Sequence, residues 1–348
     1  MWTTIILFII LLFLYIHIQH QYKSGQDLQV YEYDYSGTKD LLETVNFKQP
    51  ILFELDLPPI PSTATIHSLK VKDVRDYQIN SQTSEPILLP YHNAKGLLDT
   101  DTKSVFYSNQ NHNMIHDSSE WSSWFQEMDA LMKPDFCINK TYDMIYGSAK
   151  SHTTTQYFNE SHVFVYLPPE TNKEAVRVKM TPWKSRTFMD PHDDYIYYEF
   201  WSKENLFSEH LDSRIQCLDF VIKPGHVFYI PPYWFHSFMF PSKENQLCMA
   251  KYTTIANALA HAKQWSKYYL QQQNIQEKWL KPLMDDSGES AVDKNDVSST
   301  TLLPESTTNN GESNILDKNT EIIPTTVIEP TKPTEEIVAE ELLGELKK

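Results

Sequence analysis

Residues 223–238 read Lys-Pro-Gly-His-Val-Phe-Tyr-Ile-Pro-Pro-Tyr-Trp-Phe-His-Ser-Phe, and they constrain the fold more than any other stretch of the chain. Pro224-Gly225 predicts a type II turn, because Pro presets φ at the second position and Gly accepts φ > 0 at the third. A short apolar run, His226 to Ile230, follows as a buried strand. Pro231-Pro232 has no N–H to give to a ladder, so it ends that strand and re-aims the chain. A second strand then begins near His236. Such a stretch belongs to a barrel or sandwich, and in a barrel it aims His236 into the mouth.

The neighbouring sequence has the same character. HVFVYL (162–167), AVRVKM (175–180), YIYYEFW (195–201), IQCLDFVI (215–222), FHSFMF (235–240) and QLCMAKYTT (246–254) are short, rich in Val, Ile, Tyr and Phe, and bounded by Pro, Gly or Asn. ILFELDL (51–57) and LKVKDV (69–74) are earlier strand-like runs. Helices are expected at Ser118–Met132, which opens with Ser and Glu, and from Ala256 through Leu270 towards Trp279. With 20 Tyr, 17 Phe and 8 Trp the body can bury a large core. The expected class is therefore mainly β with flanking helices, in one folded body over residues 40–280.

Both ends differ from this body. Trp2 to Ile18 contains no Asp, Glu, Lys or Arg, and the apolar run is nearly long enough to span a hydrocarbon core of about 30 Å. No Lys or Arg precedes it and no small-x-small cleavage site follows, which favours an uncleaved transmembrane anchor over residues 1–22 rather than a signal peptide. Lys23 on its C-terminal side puts the body in the cytosol. Residues 285–348 carry 15 Asp/Glu and 5 Lys, a net of −10 of the chain's −16. This Ser/Thr/Pro-rich tail lacks apolar surface and is expected to be disordered, with a helical spacing only at Ile337, Leu342, Leu343 and Leu346. It is a candidate segment for recruiting a protein partner.

The acidic balance excludes general nucleic-acid binding. Cys137, Cys217 and Cys248 are far apart and form no CxxC, so neither a zinc site nor a disulfide framework follows. The sequons at Asn139 and Asn159 matter only for a lumenal body.

The 223–238 stretch resembles the cupin-like domain of JmjC-type proteins, whose PGD-x-x-x-IP-x-x-W-x-H segment delivers a metal-binding histidine. Pro224, Gly225, Tyr229, Ile230, Pro231, Trp234 and His236 match, and His226 replaces the usual acidic residue. A longer likeness, over about 230 residues, is to the membrane-anchored cupin-like proteins of large DNA viruses. It includes VKDVRDY, LLDTDTKSVFYSNQN, VRVKMTPWK, YYEFWSKEN and YTTIANALAHAKQWSKYYLQQQN. The resemblance implies a double-stranded β-helix (cupin/jelly-roll) in a host or virion membrane.

Active members of that family resemble one another in a His-x-Asp/Glu pair and a distant His, which hold Fe(II) beside 2-oxoglutarate. Aligned on His236, the first pair falls on Gln156 and Phe158. Gln is a weak neutral donor and Phe is none, so the resemblance implies a degenerate domain with no cofactor, used for binding or structure. The alternative is an atypical hydroxylase holding Fe(II) and 2-oxoglutarate with His192, Asp194 and His236. His192-Asp193-Asp194 also reads as a polar turn. His162 is a stray ligand or a structural histidine. Arg177 and Lys179 are candidates for a cosubstrate carboxylate, and Trp183, Tyr233 and Trp234 for a cleft or core.

Overall fold

The computed structural model describes residues 2–79, 86–243 and 245–274. The strands are β1 (Tyr31–Glu32), β2 (Ile51–Glu54), β3 (Ser68–Asp73), β4 (Ile87–Pro90), β5 (Phe106–Ser108), β6 (Cys137–Gly147), β7 (Thr155–Gln156) and β8 (His162–Tyr166). They continue with β9 (Val176–Thr181), β10 (Pro191–Asp194), β11 (Glu199–Ser202), β12 (Leu218–Ile222), β13 (His226–Ile230), β14 (Phe235–Met239) and β15 (Leu247–Thr254). Helices are α1 (Trp2–Gln21), α2 (Thr38–Val45), α3 (Val74–Ile79), α4 (Tyr91–Thr100), α5 (His112–His116), α6 (Ser119–Met132), α7 (Arg186–Met189), α8 (Ile255–Ala260) and α9 (Ala262–Asn274).

Among the described residues these strands form two sheets. The large one runs β1-β2-β13-β8-β15-β6-β5-β3-β4, the small one β10-β11-β7-β14-β9-β12. The interior layer is apolar: Val163, Val165, Leu167, Phe228, Ile230 and Met249 from the large sheet cluster with Val176, Val178, Met180 and Phe238 from the small one. Strand alternation puts Phe164, Tyr166, Val227, Tyr229, Cys248 and Tyr252 on the other face of the large sheet, under the helices.

Helix α6 supplies much of that cover. Ser118 caps it by accepting a hydrogen bond from the Trp121 N–H. Trp121, Trp124, Phe125, Met128 and Met132 then recur at helical spacing and are all buried. Phe125 stacks on Tyr142, with centroids 4.4 Å apart. The small sheet's outer face carries Tyr157, Met189, Phe200, Leu206, Ile215 and Phe235.

The expected turn at Pro224-Gly225 is present: the His226 N–H donates to the Lys223 carbonyl at 3.1 Å, and Gly225 has φ +83. Two expectations change. The run 195–201 is not one strand, because Tyr195–Tyr198 turns a hairpin between β10 and β11, with His192 opposite Trp201 and Asp194 opposite Glu199. The closing helix is broken at His261 into α8 and α9. The eleven-residue strand β6 is an addition to the strands read from the sequence. The acidic tail and Trp279 lie outside the described residues.

Helix α1 is 20 residues long and apolar enough to cross a membrane, at 1.5 Å per residue about 30 Å. Its end is tied to the body. The Lys48 ammonium donates to the carbonyls of His20 and Lys23, and the Tyr22 hydroxyl donates to the Ala260 carbonyl. Asn139 is exposed and Asn159 buried, so only the first sequon is accessible in the folded body.

Gly147 ends β6 where the Phe240 ring closes over it. An added Cβ would fall 2.0 Å from that ring, which is fully buried. Gly147→Ala should therefore destabilise the protein by about 1–3 kcal/mol through overpacking, measured as a lowered thermal midpoint of the full chain in detergent.

Candidate functional site

The chain leaves the large sheet at Ile230, crosses at Pro231-Pro232, and enters the small sheet at Phe235. Tyr233 sits in the crossing with φ 62, and its N–H donates to the Phe158 carbonyl at 2.7 Å. That bond brings the 156–158 segment alongside β14. Gln156 is then the direct cross-strand partner of His236, and the Phe158 ring lies 4.8 Å from the imidazole, centroid to centroid.

His236 is buried. Its Nδ1 lies 3.0 Å from the Trp234 carbonyl, which fixes that nitrogen as the protonated one and leaves Nε2 as the acceptor. Burial pulls its pKa down to about 4, and the nearby Lys251 ammonium adds to this. The imidazole is therefore neutral at physiological pH.

His236, Gln156 and Phe158 face a polar wall. Asp143 from β6 and Lys251 from β15 line the same cavity, as do Asn109, Glu160 and Glu199. Asp143 accepts hydrogen bonds from the backbone N–H groups of Gln110 and Asn111, both at 2.7 Å. Burial raises its pKa and those bonds oppose the rise. Lys251 places its ammonium 5.0 Å from the Phe158 ring centre, a cation–π geometry. Lys72 and Glu199 form a buried ion pair at 2.5 Å, and the Tyr77 hydroxyl also donates to Glu199. The Asn109 side-chain oxygen is buried with no protein partner. The space enclosed is about 30 Å³, room for a water molecule or two. Small-molecule sites are roughly tenfold larger.

This donor set does not fit facial-triad iron. A carboxamide and a phenyl ring, neither a His nor a carboxylate, lie against His236, and among the described residues no group of three or more His, Cys, Asp or Glu is placed to hold a metal ion. The alternative set of His192, Asp194 and His236 does not converge. Strands β11 and β7 lie between β10 and β14, a separation of roughly 14 Å at strand spacing, far beyond shared coordination. His192 instead stacks on Trp201 at 4.9 Å and reaches Asp190 at 3.2 Å. Asp194 accepts the Ile196 N–H at 2.7 Å, so it serves the hairpin turn.

The other candidates are also placed. His162 lies outside the cavity wall and contacts the Ser161 hydroxyl at 2.7 Å. Arg177 pairs with Asp219 on the exposed strand face, and Lys179 donates to the Leu206 carbonyl. Neither lines the interior cavity. Trp234 is fully buried core. Trp183 and Tyr233 line an open cleft of about 570 Å³ outside the small sheet, together with Tyr157, Arg186, His192 and Gln264. None of Asp143, Lys251, Asn109, Lys72 and Glu199 is among the candidate site residues read from the sequence. Alternation along β6 and β15, once both strands are known, identifies the first two.

The chain matches no protein-family model, and no curated protein matches it in sequence.

Two outcomes are expected. Lys72→Met should cost about 3–5 kcal/mol because it leaves Glu199 buried and uncompensated, and Lys72→Met with Glu199→Met should recover most of that; chemical denaturation of all three proteins checks this. The second concerns pH. The unfolded chain protonates its histidine below about 6.5, whereas folded His236 resists until about 4. Stability therefore falls as pH drops through that window, by up to about 1.4 kcal/mol per unit for this one group. His236→Asn should make the profile of thermal midpoint against pH shallower between 6.5 and 4, with the remaining slope due to groups such as His112 and His162, which burial holds down in the same way.

Proposed function

We propose that the chain is a membrane-anchored, catalytically silent double-stranded β-helix of the JmjC-like cupin type, related to the membrane proteins of large DNA viruses. The observation that carries this is the pairing of His236 with Gln156, with Phe158 packed on the imidazole. These are the two positions where an oxygenase of that type needs its other ligands.

The strand order supports the fold reading. Strands β6, β8, β13 and β15 belong to the large sheet, while β7, β9, β12 and β14 belong to the small one. From β6 to β9 and again from β12 to β15 each successive strand crosses to the other sheet, while β9 through β12 stay in the small one; this crossing pattern is what a double-stranded β-helix uses. The joined end of α1 supports anchoring over removal, since cleavage near residue 22 would take away the His20 carbonyl that the buried Lys48 ammonium reaches.

A silent interior leaves a binding or structural role. The interior cavity holds no more than water, so binding falls to the aromatic cleft at Trp183 and Tyr233, whose volume suits a ligand or a side-chain cluster of a partner. The tail adds a segment of net −10 for a basic partner.

Metal analysis of the full-length protein in detergent, with a 2-oxoglutarate turnover assay, tests the reading. Substoichiometric iron and no succinate are expected. Stoichiometric iron with succinate release overturns it. Gln156→His combined with Phe158→Asp should raise bound Fe(II) or Co(II) to near one per chain; a folded double variant that gains no metal would show that the ligand positions are misassigned.

A further inference from the structure

The register of the large sheet places one set of strand ends together. Thr254 of β15 pairs with Cys137 of β6, Tyr252 of β15 with His162 of β8, Val163 of β8 with Ile230 of β13, and Tyr229 of β13 with Ile51 of β2. Helix α1 joins the body at this same end. Besides the Lys48 and Tyr22 bonds, the Ser24 hydroxyl donates to the Pro232 carbonyl at 2.7 Å, and the Gly25 N–H to the Lys48 carbonyl at 3.0 Å.

Exposed apolar side chains gather here. Phe47 precedes β2 and is 75% exposed, and Phe136 precedes β6 and is 79% exposed. Ile138 is exposed at the start of β6, and Ile255 and Leu259 are exposed one helical turn apart on α8. The Ile255 N–H donates to the Phe136 carbonyl at 3.1 Å, which joins the α8 pair to Phe136. Helix α8 in turn packs beside α1. Phe47 stands next to Lys48, whose ammonium reaches the end of α1. An exposed phenylalanine costs free energy in water, and several around one site mark an interaction surface.

The occupant follows from the position of the patch: the C-terminal end of α1, the helix long and apolar enough to cross a membrane, is bonded to Lys48 beside Phe47, and α1 packs beside α8, which carries Ile255 and Leu259. We propose that Phe47, Phe136, Ile138, Ile255 and Leu259 form a belt that enters the interfacial layer of the same bilayer that α1 spans, so that this end of the large sheet rests on the membrane. The belt extends the anchored reading above and depends on it. Aromatic and aliphatic side chains at the level of the headgroups are favourable there, as in interfacial helices. Two consequences follow. The body is held at a fixed tilt to the membrane instead of swinging on a linker. The Pro224-Gly225 end of the barrel, at the opposite strand ends, faces away from the lipid.

Depth-dependent quenching tests the belt. Single cysteines are introduced as Phe136→Cys, Leu259→Cys and Val221→Cys in full-length protein carrying Cys137→Ser and Cys217→Ser; Cys248 is fully buried and stays unlabelled. Val221 is exposed near the opposite strand ends and serves as the control. Each is labelled with an environment-sensitive fluorophore and reconstituted into phosphatidylcholine vesicles containing lipid with a quencher near the headgroup. Labels at 136 and 259 should be quenched several-fold more than the label at 221. Equal quenching at the three positions in protein that floats with the vesicles overturns the belt and leaves the anchor standing. Protein that does not float with the vesicles overturns both.

Discussion

Four residues, Pro231 to Trp234, carry the chain from one sheet to the other, and the rest of the site depends on that crossing. Neither proline can donate to a ladder, so β13 must end at Ile230. Tyr233 then takes a left-handed backbone that a bulky residue adopts only under constraint. Its N–H is held by the Phe158 carbonyl, and its hydroxyl by His261 at 2.5 Å. The strain is offset by tying three segments together: the crossing, the 156–158 strand end and the closing helix pair. With the crossing set, alternation turns Phe235 outward and His236 inward.

The interior that results is apolar at one end and polar at the other. Val165, Val178, Phe228 and Phe238 fill the first part, while His236, Asp143, Lys251 and the Lys72–Glu199 pair share the second. Several of these polar groups have a specific answer to desolvation. The imidazole stays neutral, the Asp143 carboxylate takes backbone N–H bonds, and Lys72 and Glu199 neutralise each other. A buried ion pair of this kind contributes little net stability compared with apolar residues of the same size. Its effect is to fix how strand β3 meets β11.

At the end of the large sheet where α1 joins, the apolar helix is tied to the fold by hydrogen bonds. Lys48 is buried, and burial together with Lys23 lowers its pKa to about 8. Its ammonium nevertheless remains hydrogen-bonded to two carbonyls at the end of α1. The aromatic cleft at Tyr233 lies two ring contacts from Tyr22, the residue that follows α1, through His261.

Much of this was legible in the chain. The diproline, the Pro-Gly turn, the short β-branched and aromatic runs and the capped helix at Ser118 are local signals, each with a backbone reason that holds in almost any context. The apolar span and the acidic tail are compositional and equally local. The hairpin at 191–202 was obscured because its turn, Tyr195–Tyr198, is made of residues that favour strands, and only the pairing of His192 with Trp201 and Asp194 with Glu199 reveals it. Whether His192 could share a metal with His236 was likewise open in one dimension. By itself the sequence determined that β-strands, a His-bearing crossing and a membrane-length helix exist. The tertiary structure decided which side chains meet: it set Gln156 and Phe158 against His236, kept His192 apart from it with two strands between, and placed Phe47, Phe136 and Leu259 at the end of the large sheet where α1 joins. Those are long-range pairings, and register across a sheet is fixed by packing among strands far apart in the chain.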